Sequence, residues 1–169
     1  MHSAYLITQL ENNADVFKSL LSGISVEMIK WKTSEKKWSL LEIICHLYDE
    51  EREDFRARLS KILLEDHEWD PIDIQTRVVS GKYSEKDFTT VLNDFLKERK
   101  LSIEWLKNLE VHDWNIKAVH PKMGEFSAIQ MLANWLAHDY LHFRQIVKTK
   151  YLYLQNSISP ADLGYAGEL

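Results

Sequence analysis

The chain is short of the residues that interrupt or cross-link a polypeptide. Gly occurs 5 times and Pro 3 times in 169 residues. So few breakers leave little room for tight turns and suit long helices. A single cysteine, Cys45, excludes an internal disulfide framework and fits a reducing setting. No apolar run approaches the roughly 20 residues that span a bilayer, so no membrane partner is expected. The opening MHSAYLITQLENNADVF has neither the basic start nor the apolar block of a secretory leader, and a cytoplasmic location is expected. An excess of basic charge is missing as well. The net charge is -5 with acids and bases interleaved, so nothing forms the basic stripe that would suit a nucleic acid. What is present, 45% hydrophobic and 28% charged residues, is the balance of a soluble globular protein. The length suits a single domain over residues 1–169.

Four segments carry apolar residues at helical spacing. The first covers about residues 4–29, with Leu6, Leu10, Val16, Phe17 and Leu20 on its apolar side and Gly23 as a point of interruption. The second covers about residues 40–64 and opens on a capping box, Ser39 with Glu42. Its stripe is Leu40, Ile44, Leu47, Phe55, Leu59 and Ile62. The third covers about residues 85–109, opened by Ser84 with Asp87 three residues on, and its stripe runs Phe88, Leu92, Phe95, Leu96, Ile103, Leu106. The fourth covers about residues 128–152, opened by Ser127 with Gln130 as reciprocal partner. Loops are expected at about residues 66–83 and 110–126, punctuated by Pro71, Gly81, Pro121 and Gly124. Strand-like alternation is nearly absent, and residues 75–79 are too short to count. Four amphipathic helices must cover one another, so the expected fold is all-α, an up-down four-helix bundle.

His138 and His142 stand four residues apart in the last segment, which puts both imidazoles on one helix face. Two neutral imidazoles so placed can share an ion at about 2.0–2.1 Å. Such a pair also arises by chance, and a transition metal needs a third ligand from elsewhere. His46 is the candidate. On a helical wheel it falls roughly opposite the Ile44, Leu47, Phe55 stripe, together with Asp49, Glu50 and Glu53. Two readings stay open: a solvated polar face with an incidental histidine, or a polar cleft between helices in which His46 is a ligand. His2, His67 and His112 read as solvated residues and His120 as a loop-packing one. Cys45 points about 100° away from His46 around the helix and reads as core.

The segment WSLLEIICHLYDEERED, followed later by AVHPKMGEFSAIQMLANWLAHDYLHFRQI, resembles the DinB-like superfamily of bacterial four-helix proteins. The matching positions include Trp38, Ser39, His46, Leu47, Asp49, His120, Pro121, Gly124, Ser127, His138, Asp139, His142, Gln145 and Ile146, and the tail LGYAGEL is similar too. The resemblance implies that His46, His138 and His142 are ligands of a divalent transition metal, nickel or zinc. It also implies a homodimer. Some branches of the family transfer low-molecular-weight thiols, and no motif here picks out such a branch.

Three protein nitrogens with open positions are the arrangement of a catalytic rather than a structural metal. The expectation is therefore a metal-dependent enzyme, a thiol transferase or hydrolase, acting on a small molecule. Asp49, one turn past His46, is the candidate general base. Asp139 reads equally as a support for the histidines or as a surface charge. The alternative function is a non-catalytic bundle that binds a metal or a small ligand.

Overall fold

The computed structural model describes residues 2–64, 74–110, 113–120 and 124–167. His67, His112 and Pro121 lie outside the described residues. The elements are α1 (Ser3–Leu21), α2 (Val26–Lys30), α3 (Leu40–Asp49), a π-helical segment (Glu50–Phe55), α4 (Arg56–Leu63), α5 (Ile74–Ser80), α6 (Phe88–Lys107), β1 (Lys117–His120), β2 (Gly124–Ser127) and α7 (Ala128–Ser157). The π segment joins α3 and α4 into one rod without a break.

Several boundaries differ from the sequence expectation, each for a local reason. The first segment is two helices, because α1 stops at Leu21 and Gly23 takes φ +67°, a left-handed conformation that costs glycine nothing. The third helix starts later than Ser84. Asp87 is its N-cap and accepts a hydrogen bond from the Thr90 N–H at 2.8 Å, while Ser84 sits in a short 3-10 turn. The loop expected at 66–83 contains α5, which includes the stretch set aside as too short for a strand. The loop expected at 110–126 contains an antiparallel hairpin, with Lys117 opposite Ser127 and His120 opposite Gly124. Only Ala118 on β1 and Phe126 and Ser127 on β2 are buried, too few positions for a period of two to stand out.

The core fixes how the four rods run. At one end Leu6, Leu10, Leu59, Ile62, Leu106 and Leu132 belong to one buried cluster. At the other end Phe17, Leu21, Ile44, Leu92, Phe95 and Ile146 belong to a second. Thus α1 and α7 run one way, and α3–α4 and α6 run the other. The fold is an all-α up-down bundle in which the links over residues 22–39 and 108–127 reverse the chain. The two middle rods are therefore parallel to each other. Around the bundle, α1 packs on α6 and α7, and the α3–α4 rod packs on the same two. Rods joined by a reversing link therefore sit diagonally. No helix among the described residues is long and apolar enough to cross a membrane.

Candidate metal centre

Two capping boxes aim the site. Ser39 Oγ accepts from the Glu42 N–H at the start of α3, and the Glu42 carboxylate accepts from the Ser39 N–H. Ser127 and Gln130 make the same reciprocal pair at the start of α7. With both helix starts fixed, His46 on α3 and His138 and His142 on α7 face each other across the bundle interior. His138 Nε2 lies 3.3 Å from His46 Nε2 and 3.1 Å from His142 Nε2. One ring nitrogen from each histidine falls within 4.8 Å of the other two.

The cluster is largely buried, with His138 half-buried at its open side. His46 is 4% exposed and His142 7%. The Trp38 ring lies 4.9 Å from His46, and Phe55 packs at 4.9 Å from His138 while stacking on Trp135. Burial and the neighbouring imidazole of His142 lower His46 to about 3 and His138 to about 2. Burial lowers His142 to about 4. All three are neutral near pH 7, the state in which an imidazole can donate a lone pair to a cation.

His46 does lie opposite Ile44, yet that side is interior as well, because α3 is buried on every face from Leu40 to Leu47; the π segment changes only the register to Phe55. A π turn holds more residues than an α turn, so it rotates α3 relative to α4. The helical face defined by Phe55, Leu59 and Ile62 therefore does not continue straight back to residue 46. Of the polar residues assigned to that face, Glu53 is solvated, Asp49 is partly buried, and His46 and Glu50 are buried. Glu50 Oε1 stands 3.7 Å from His46 Nδ1, on the side of the ring away from the cluster. Burial, followed by the hydrogen bond with Asp54, pushes the Glu50 carboxyl up to about 8.

Asp49 is placed elsewhere. Its carboxylate accepts from the Tyr83 hydroxyl and from Arg52, and it lines a separate cavity of about 400 Å³ with Cys45, Tyr48 and Lys86. Cys45 is a buried core residue whose thiol is pushed up to about 12 by burial, so it is no thiolate. His120 packs its ring near Phe126 on the hairpin.

One polar assembly escaped the sequence reading. Arg99 on α6 donates from Nη1 and Nη2 to the two Asp139 oxygens at 2.7 and 2.8 Å and from Nε to Glu51 at 2.9 Å. It also reaches the Leu10 carbonyl at 3.2 Å. Asn13 donates to Asp139, and the Trp135 indole donates to Glu51. Arg99, Glu51 and Asp139 are 1%, 1% and 0% exposed, so Asp139 is no surface charge. Burial raises the Glu51 pKa despite Arg99. The signal was there: Asn13, Glu51, Arg99 and Asp139 each sit inside the apolar stripe of their helix. Arg99, for example, lies four residues after Phe95 and four before Ile103. This assembly ties all four rods together one residue from His138.

Comparison with known proteins agrees with this architecture. No curated protein matches the chain in sequence. YfiT from Bacillus subtilis, described as a probable metal-dependent hydrolase with an unusual four-helix bundle topology, superposes with a TM-score of 0.77 at 15% identity, over 87% of this chain and 85% of that one. Such low identity speaks for the fold. The sequence profile of the DinB superfamily matches residues 9–146, most of the chain, including all three histidines of the cluster and the whole buried ion network. On that match the chain belongs to the DinB superfamily.

Proposed function

We propose that the chain is a metal-dependent enzyme, a hydrolase or thiol transferase, that acts on a small molecule through a divalent ion held by His46, His138 and His142. One observation carries the reading. His138 Nε2 faces two other imidazole nitrogens at 3.3 and 3.1 Å. A neutral ring nitrogen offers one hydrogen or one lone pair, never enough for two such partners. A cation between the rings answers all three lone pairs. Nitrogens at about 2.0–2.1 Å from one ion, set at tetrahedral or octahedral angles, lie about 2.9–3.4 Å apart, which spans the separations here.

A divalent ion so held supplies Lewis acidity toward a thiol, a carbonyl or water. The residues around it hold the imidazoles neutral and fix their orientation, and a cavity reaches His138 and His142 from one side. The metal-dependent hydrolase description of YfiT, carried to this chain, favours the catalytic reading. Nickel or zinc is the ion we propose, because nitrogen ligands bind late first-row metals well. The homodimer is carried only by the resemblance.

Elemental analysis of untagged protein tests the reading. About one nickel or zinc per chain is expected, and none in His46→Ala or His138→Ala variants that remain folded. A wild-type chain that holds no metal and gains no stability from added nickel or zinc refutes it. Metal without turnover on any thiol or hydrolytic substrate instead favours the non-catalytic binding bundle.

A further inference from the structure

Arg144 stands apart from the other arginines. Arg52, Arg56, Arg58, Arg77 and Arg99 each meet a carboxylate. Arg144 meets none among the described residues, although the chain carries a surplus of acid. Lys148, one helical turn further along α7, is likewise outside every ion pair among the described residues. Like charges at this spacing repel and work against the helix unless an anion sits between them. Both line one cavity of about 660 Å³, and the remaining described lining is His138, His142, Gln145 and Leu141. That lining contains no carboxylate. Two imidazoles of the proposed metal centre therefore share a cavity with an unanswered guanidinium and an unanswered ammonium.

We propose that this cavity selects an anionic substrate, one that carries an oxyanion group, carboxylate or phosphate, besides the group that meets the metal. The inference rests on the metal reading above and deepens it. Arg144 presents a planar fork suited to two oxygens of one oxyanion, and Lys148 adds a point charge beside it. Gln145 can donate an amide hydrogen to the same group. The exposed position of both cations makes the attraction sensitive to salt.

Full-length protein loaded with cobalt(II) provides the test, with 6-mercaptohexanoate and 6-mercaptohexanol as probes. The two share a thiol and a reach and differ in the charge at the far end. The visible cobalt spectrum reports thiol arrival in the wild type and in the R144Q/K148Q double variant. The expected result is a preference of about tenfold for the carboxylate in the wild type at low salt, falling to about twofold in the variant. Affinity for the alcohol should be unchanged. Equal affinities in the wild type, or a preference that survives in the variant, overturn the anion site while the metal centre stands. Absence of any cobalt spectrum overturns the metal reading and this inference with it.

Discussion

Arg99 is 1% exposed, and a guanidinium removed from water has to be met on every side. Asp139, Glu51 and the Leu10 carbonyl meet it, and the two carboxylates hold its pKa above the ordinary value against the burial. Replacing Arg99 by Met strands two buried carboxylates. We expect Arg99→Met to lose about 3–5 kcal/mol in urea unfolding, far more than an exposed arginine would. Glu50 answers a different question. Because it faces His46 Nδ1 from behind the cluster, Glu50→Gln should weaken nickel or zinc binding by about 10–100-fold in a competition titration. Asp49→Asn should leave metal affinity nearly unchanged, since Tyr83 and Arg52 hold that carboxylate elsewhere. At this scale the sequence was legible where spacing alone decides the outcome. His138 and His142 share a face in any straight helix. His46 was not decided by its wheel, because a wheel gives directions and not what covers each face, and α3 is covered on all of them. Arg99 and Glu51 were overlooked because charged residues are ordinarily read as solvent-facing, although their register in the apolar stripes said otherwise.

Among the elements, the helix starts were the most legible features. Ser39 with Glu42 and Ser127 with Gln130 form the reciprocal bonds expected of them, since a capping box depends only on neighbours in sequence. Ser39→Ala should cost about 1 kcal/mol by removing an acceptor from the first turn of α3, measurable as a shift in the urea midpoint. The same reasoning misplaced the start of α6 by choosing Ser84 over Asp87, two residues that both satisfy the local pattern. Packing chose between them: Tyr83 is 4% exposed and anchors the segment before the helix. The π segment has no local signature. It puts Glu51 on Arg99 while Phe55 packs on His138, a match between halves of one rod that only the assembled bundle can select.

For the molecule as a whole, burial of titratable groups sets a pH window. In the metal-free folded chain the three imidazoles remain neutral down to about 4 or lower, whereas in the unfolded chain they gain protons below about 6.5. The unfolded state then binds more protons, so stability is complete above that value and is lost as the pH falls. The slope is at most about 1.4 kcal/mol per pH unit for each histidine. Glu50 acts in the opposite sense. Its folded value is raised to about 8, so its contribution is present at low pH and is lost as the pH rises towards 8. Urea midpoints measured with chelator present should therefore peak near neutrality, fall steeply below about pH 6 and decline gently above about pH 7. A midpoint that stays flat between pH 7 and 5 contradicts this account. The bundle itself could be anticipated from four stripes, but not its handling of the chain, because stripes say which faces are covered and not by which partner.

The diagonal placement of rods joined by reversing links bears on how the chain acquires its structure. In an ordinary helical hairpin two neighbours in sequence cover each other and can persist as a unit. Here α1 and the α3–α4 rod stand diagonally, as do α6 and α7, so each rod packs on the members of the other pair rather than on its neighbour in sequence. Neither half offers a self-sufficient foldon. Peptides covering residues 1–64 and 84–169 should be largely disordered alone and become helical when mixed, a complementation visible by circular dichroism. Native-state hydrogen exchange should accordingly find the central turns of all four rods opening together, in one cooperative event rather than hairpin by hairpin.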